Sequence, residues 1–182
     1  MREGGPGPLV FGENTRTAAP AEVGGTVSIA SFNVLNYFAT LGETEEGCRY
    51  FPDRFGSPTS TNYCEVRGAY DKASFGRQQA KIVAAINALD ASVVALDEIE
   101  TSSEVGHSDR DFALANLVAA LNAGLPTERW AYVDSPSVLP DSEDVIRTAY
   151  IYQVAEVSPV GESVILQEGA FHNARLPLAQ RV

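Results

Sequence analysis

The stretch Val93-Val94-Ala95-Leu96-Asp97-Glu98-Ile99-Glu100 decides the fold. Four apolar residues with β-branched character read as a central strand. Carboxylates follow at once, and in open α/β sheets sites are built where strands end. Upstream, Phe75, Ile82, Ile86 and Leu89 form one helical stripe. Ser74 can cap that helix near Phe75, and Asp90-Ala91 ends it. Downstream, a loop over 101–110 leads to Asp111, which can cap a second helix carrying Leu114, Leu117, Val118 and Leu121. Gly124 and Pro126 stop it.

Further out, Val27 and Ile29, then Phe32 and Val34, suggest a buried strand with a polar end at Asn33. Trp130 to Val133 reads as a strand, and Pro136 to Ser142 as a loop. Val145 to Val154 is a strand with Ile146, Thr148, Tyr150 and Tyr152 on one face. Val157 to Ile165 adds another, broken at Pro159 and Gly161, and Leu176 to Val182 resembles a strand start. Residues 40–72 read as one long polar loop, a feature often functional. The order strand, helix, strand, helix, then strands points to a mixed α/β sandwich rather than a doubly wound parallel sheet. Residues 1–25, rich in Gly, Pro and Ala, read as an extended lead-in, and 26–182 as the domain.

At 182 residues and 45% hydrophobic content, the chain can bury one core. No run of apolar residues is long enough to span a membrane. The net charge of −11 excludes a globally basic nucleic-acid binder, so any such work rests on a local site or a bridging cation. Cys48 and Cys64 lie in the polar loop and can close a disulfide or remain two free thiols. A disulfide would place the chain in an oxidising compartment, although Met1 to Pro6 carry no apolar signal core.

Asn33 and Glu98 each follow an apolar run, so both can face one crevice. A carboxylate with a neutral amide beside it suits a hard divalent cation. The plainer reading makes Asn33 a turn residue and Glu98 a solvated acid.

Five segments then carry a resemblance: Ser31 to Phe38, Arg67-Gly68-Ala69, Phe75-Gly76-Arg77-Gln78-Gln79-Ala80-Lys81-Ile82-Val83, Val93 to Glu100, and Leu117 to Ala123 with the closing Pro177-Leu178-Ala179-Gln180. Together, in this order, they resemble the endonuclease/exonuclease/phosphatase superfamily, and within it the large secreted bacterial nucleases related to pancreatic deoxyribonuclease. The resemblance implies a deoxyribonuclease-I-like α+β sandwich of mixed sheets flanked by helices, present as its N-terminal part. It also implies Mg²⁺-dependent hydrolysis of phosphodiesters in nucleic acid, DNA rather than RNA, by an extracellular enzyme. Mn²⁺ is the alternative to Mg²⁺, and Ca²⁺ is left open.

By the same resemblance, Glu98 is the metal ligand and Asn33 hydrogen-bonds in the metal and phosphate site. Asp144 falls where an acid orients a catalytic His, Arg175 where an Arg contacts substrate phosphate, and Cys48–Cys64 where a disulfide is expected. Asp97, Thr101 and Gln153 depart from the pattern. So does the absence of any Gly-Asp or Asp-His dipeptide, which in the family belong to segments supplying base and acid. His107 and His172 read as solvated side chains. The chain is therefore expected to be inactive alone and to self-associate through an uncovered edge or face of residues 145–182. A binding or scaffold module, or a phosphatase or phospholipase relative, is the alternative.

Overall fold

A computed structural model describes residues 12–17, 21, 24–171 and 173–182. Most of the lead-in over 1–25, and His172, lie outside the described residues. The main sheet has four strands in the order β1-β4-β6-β5. These are β1 (Ile29–Tyr37), β4 (Val93–Glu100), β5 (Trp130–Tyr132) and β6 (Ile146–Gln153), with the hairpin strands β2 (Arg49–Pro52) and β3 (Pro58–Asn62) lying between β1 and β4 in the chain. Strands β1 and β4 run parallel, whereas β4–β6 and β5–β6 are antiparallel, so the sheet is mixed. Helices α1 (Lys72–Leu89) and α2 (Phe112–Asn122) pack on one face. A final ribbon pairs β7 (Val164–Ile165) with β8 (Leu178–Ala179). No described helix is long and apolar enough to cross a membrane.

The core follows the two periodicities. Ile82 and Ile86 of α1 and Leu114, Leu117, Val118 and Leu121 of α2 meet Val34, Val94, Leu96, Ala149 and Ile151 from the sheet. Each buried aliphatic side chain of this kind stabilises the fold by about 1.5–3 kcal/mol. Trp130 closes the far end, with its indole N–H donating to Asn87 Oδ1 at 3.3 Å.

Four expectations need correction. Asp71, one turn before the expected Ser74, is the N-cap of α1 and accepts the Ser74 N–H at 2.7 Å. Val27, which precedes β1, and Ile29, the first residue of this edge strand, are exposed rather than buried. The segment 40–72 holds the β2–β3 hairpin and one further bridge, between Ser60 and Ala69, rather than a plain loop. The strand expected over Val157 to Ile165 shrinks to Val164–Ile165, beyond Pro159 and Gly161. In addition, β6 is internal, so the open edges of the main sheet are β1 and β5, not the strand that starts the 145–182 segment.

A disulfide joins Cys48 and Cys64, with Cα atoms 5.1 Å apart, and staples the ends of the hairpin. Cys48 and Cys64 pack against the cluster formed by Phe38, Val66, Val145 and Ile146, which ties the hairpin to the ends of β1 and β6.

Candidate functional site at the strand ends

Asn33 on β1 lies beside Asp97 on β4 in register. Immediately afterwards both strands abandon regular backbone. Leu35 (φ 51°), Asn36 (φ 52°) and Glu98 (φ 63°) occupy the left-handed region, and the pairing shifts on both sides of β4. Each such non-glycine residue costs about 1–3 kcal/mol and persists only when its surroundings enforce it.

The surroundings here are specific. Asn33 Oδ1 accepts the Leu35 N–H at 2.7 Å, closing an Asx turn. Gln78 Nε2 of α1 donates to Leu35 O at 2.8 Å and to Asn36 O at 3.3 Å. Gly68 lies under the bend: a Cβ there would sit 2.4 Å from Phe38 Cβ and 3.2 Å from Asn36 O. Gln79 Nε2 donates to the Tyr37 hydroxyl at 2.7 Å, which in turn donates to Asn116 Oδ1 at 2.7 Å. Burial pushes the Tyr37 hydroxyl well above the usual phenol range, with the Glu100 carboxylate adding to the shift against the Gln79 contact, so it stays a donor.

The three acids of β4 have different fates. Asp97 and Glu98 are partly exposed, and among the described residues neither carboxylate has a hydrogen-bond or ion-pair partner. Glu100 is fully buried and accepts the Thr40 N–H at 3.0 Å and the Ser102 hydroxyl at 2.6 Å. His107 is not a solvated loop residue. Its Nε2 lies 2.9 Å from Thr40 Oγ1, and its ring stacks on Phe112 with centroids 4.1 Å apart.

Because β6 runs antiparallel to β4 with Glu100 opposite Ile146, Asp144 starts at the sheet end where Glu98 sits. Asp144 is held by Arg67 at 2.8 Å and by Arg175 at 3.8 Å, both on the surface. No described histidine touches it. Asp144 and Arg175 border a cavity of about 480 Å³ together with Arg110, Arg147, Thr148 and Asn173. Asn33 borders a second hollow of about 850 Å³, shared with Arg67, Arg77 and Lys81. Arg67 lines the second hollow and meets the first only through its ion pair with Asp144, while Glu98 lines neither.

No family model, curated protein or solved structure matches the chain.

The floor of the first cavity was not foreseen from the sequence. Arg110 grips Glu143 through Nε at 2.7 Å and Nη2 at 2.6 Å, and donates to Ser135 Oγ at 2.5 Å. Arg147 donates to Asp111 Oδ1 at 2.5 Å, and Asp111 also accepts from Ser135 N and Oγ. Asp111 therefore stands at the N-cap of α2 without capping it through its side chain. Desolvation, with Arg110 nearby, lowers the Arg147 pKa to about 10, and Asp111 opposes the shift. The one available signal was Arg147 itself, a charge between Ile146 and Ala149 on an apolar strand.

As a donor set, Asp97, Glu98 and the Asn33 amide are hard oxygens. Among the described residues no three His, Cys, Asp or Glu side chains group as metal ligands. The Asn33 oxygen is already taken by the Leu35 N–H, which leaves the Asp97 and Glu98 carboxylates as the oxygen donors; Mg²⁺ commonly takes one or two carboxylates beside waters and phosphate.

Proposed function

We propose that the strand-end site serves divalent-metal-dependent hydrolysis of phosphodiester bonds in nucleic acid, DNA rather than RNA, in a secreted protein. The observation that carries the reading is the enforced left-handed backbone at Leu35, Asn36 and Glu98, where Asn33 and two unpartnered carboxylates stand at one end of the sheet. Strain held in place by dedicated contacts is a mark of functional sites. The Cys48–Cys64 disulfide fits an oxidising compartment.

Glu98, with Asp97, would hold the metal, and the bound ion supplies Lewis-acid polarisation of a phosphoryl oxygen. Asn33 has its Oδ1 committed to Leu35, which directs its Nδ2 hydrogens to a phosphate oxygen. Arg175 and Arg67, both exposed, clamp phosphate oxygens in place of Asp144. No described acid/base pair stands beside these groups, so this chain binds substrate without turning it over at a useful rate.

A binding or scaffold module of the same architecture is the second reading. It is favoured by Asp144, which two arginines hold and no described histidine meets. The test is fluorescence anisotropy of a duplex DNA oligonucleotide with and without Mg²⁺. Mg²⁺-dependent binding that Glu98→Gln and Arg175→Ala each weaken supports the site. Binding indifferent to Mg²⁺ and to Glu98→Gln overturns it in favour of the scaffold.

A further inference from the structure

Asn33 borders the hollow of about 850 Å³ whose walls come from β1, α1 and the β2–β3 hairpin. Its charged lining is Arg67, Arg77 and Lys81, all cations, in a chain of net charge −11. Arg67 is paired with Asp144, whereas Arg77 and Lys81 make no ion pair among the described residues. Arg77 and Lys81 stand one helical turn apart on α1, so they share a face and repel each other unless an anion lies between them. The backbone of β1 offers a ligand nothing here. The Leu35 N–H is taken by Asn33, and the carbonyls of Val34, Leu35 and Asn36 face Gln78 Nε2. A ligand in the hollow is therefore met by side chains.

The hairpin adds aromatic surface. Phe51 lines the same hollow and is 55% exposed. Phe55, at the turn, is 77% exposed, with the Arg54 guanidinium 4.5 Å from its ring centre. Tyr63, just past β3, is 78% exposed, with Arg49 at 5.3 Å. The one acid between Arg49 and Asn62 is Asp53, and its carboxylate is spent on its own turn, accepting the Phe55 and Ser57 N–H groups.

We propose that the hollow and the hairpin form a groove for single-stranded nucleic acid leading away from Asn33, with phosphates on Arg77 and Lys81 and a base stacked on Phe51. The inference rests on the phosphodiester reading for its class of ligand, and adds the path of the strand and its unpaired state. Cations that neutralise phosphates supply a sequence-independent grip, and aromatic faces hold unpaired bases. A duplex keeps its base faces stacked inside, where Phe51 cannot reach them. An acidic peptide would use the cations but leave Phe51 without a planar partner. A bilayer surface would meet Phe55 and Tyr63 but cannot enter the hollow.

The test is fluorescence anisotropy of the whole chain in EDTA, so that no metal site takes part. The probe is a fluorescein-labelled oligo-dT of about ten nucleotides. The competitors are a duplex of the same length, a poly-Glu peptide and phosphatidylserine vesicles. Oligo-dT should bind about tenfold tighter than the duplex. Arg77→Gln/Lys81→Gln should lower the slope of log affinity against log salt by about 1.4, the share of two phosphates at about 0.7 each. Lys81→Gln alone should lower it by about 0.7, which keeps the test intact if the double variant does not fold. Phe51→Ala should weaken binding about tenfold at an unchanged salt slope, and Phe51→Trp should restore it. All three side chains are exposed, and far-UV circular dichroism checks that each variant folds. Equal binding of the duplex, displacement by poly-Glu or by the vesicles as readily as by unlabelled oligo-dT, or indifference to Phe51→Ala overturns the proposal. Metal-free binding with these dependences, to which Mg²⁺ adds nothing, counts against the metal site and leaves the groove standing. Mg²⁺-dependent binding that ignores both Phe51→Ala and Lys81→Gln counts against the groove alone.

Discussion

Gln78 of α1 reaches across to the carbonyl oxygen of Leu35, 43 residues earlier in the chain, and donates to it at 2.8 Å. This contact pins the bend at which β1 stops being a strand, and so links the helix to the candidate site. Gln78→Ala leaves the Leu35 and Asn36 carbonyls without this donor. The expected cost is about 1–2 kcal/mol, read from urea denaturation, with faster exchange of the 35–37 amides. An unchanged exchange pattern would mean that the bend is held by Asn33 and Gly68 alone.

Gly68 is the complementary brace. A methyl group there meets Phe38 Cβ and the Asn36 carbonyl, neither of which is a flexible tip. Gly68→Ala is expected to destabilise the chain by about 1–3 kcal/mol and to disturb Asn33 resonances in NMR spectra. A neutral substitution would show that the loop over 63–71 can retreat.

The pairing of α1 with its cap has a defined pH dependence. The Ser74 backbone N–H, and then its hydroxyl, hold the Asp71 carboxyl below its ordinary value. A depressed carboxylate stabilises the fold above its unfolded pKa of about 4, and that contribution is lost as pH falls through the folded value. Asp71→Ala should therefore cost about 1 kcal/mol at neutral pH. The gap to the parent chain should narrow in chemical denaturation curves below about pH 4. A gap that persists into strong acid would assign the effect to helix propensity instead of charge.

Helix periodicity made α1 and α2 legible, because their stripes sit on the true core, and the apolar run of β4 marked the middle of the sheet. Asn33 and Glu98 read as strand-end polar residues, whereas β1 runs on to Tyr37 and β4 to Glu100, and the two residues stand at irregularities inside the strands. What the residues could not convey was long-range. Ile29 is exposed on an edge strand, and edge position is a property of sheet order and not of local pattern. The hairpin at Arg49–Pro52 and Pro58–Asn62 lacks apolar alternation and is closed by its disulfide and backbone pairing. His107 looked solvated because its partner, Thr40, lies 67 positions away. Ser74 was read as the cap of α1 because serine caps helices, but aspartate does so too, and the geometry shows that Asp71 is the acceptor.

Reducing the disulfide, or replacing it by Cys48→Ser/Cys64→Ser, removes a cross-link over a separation of 16 residues. Loop-closure entropy for a loop of this size is worth about 3 kcal/mol. The melting temperature should fall accordingly, and hairpin amides should exchange faster while α2 amides keep their order of protection. Equal stability with and without reductant would mean that the packing against Phe38 and Val145 is enough by itself.

Arg147 is buried and pairs with Asp111. Arg147→Met leaves Asp111 without its guanidinium partner in a dry setting, and unpaired buried charges cost about 3–5 kcal/mol. A thermal melt should show a large loss, and Arg147→Met/Asp111→Asn should recover part of it. No recovery would place the damage in lost packing rather than in the stranded carboxylate.

In the proposed site, the left-handed turn of β4 would present Glu98 to a divalent metal beside Asn33. Paramagnetic broadening of backbone amide signals by substoichiometric Mn²⁺ tests it most directly. Broadening should centre on 33–36 and 97–99, compete away with Mg²⁺, and vanish in a folded Glu98→Gln variant. Broadening scattered over the exposed acids, or unchanged by Glu98→Gln, would contradict it.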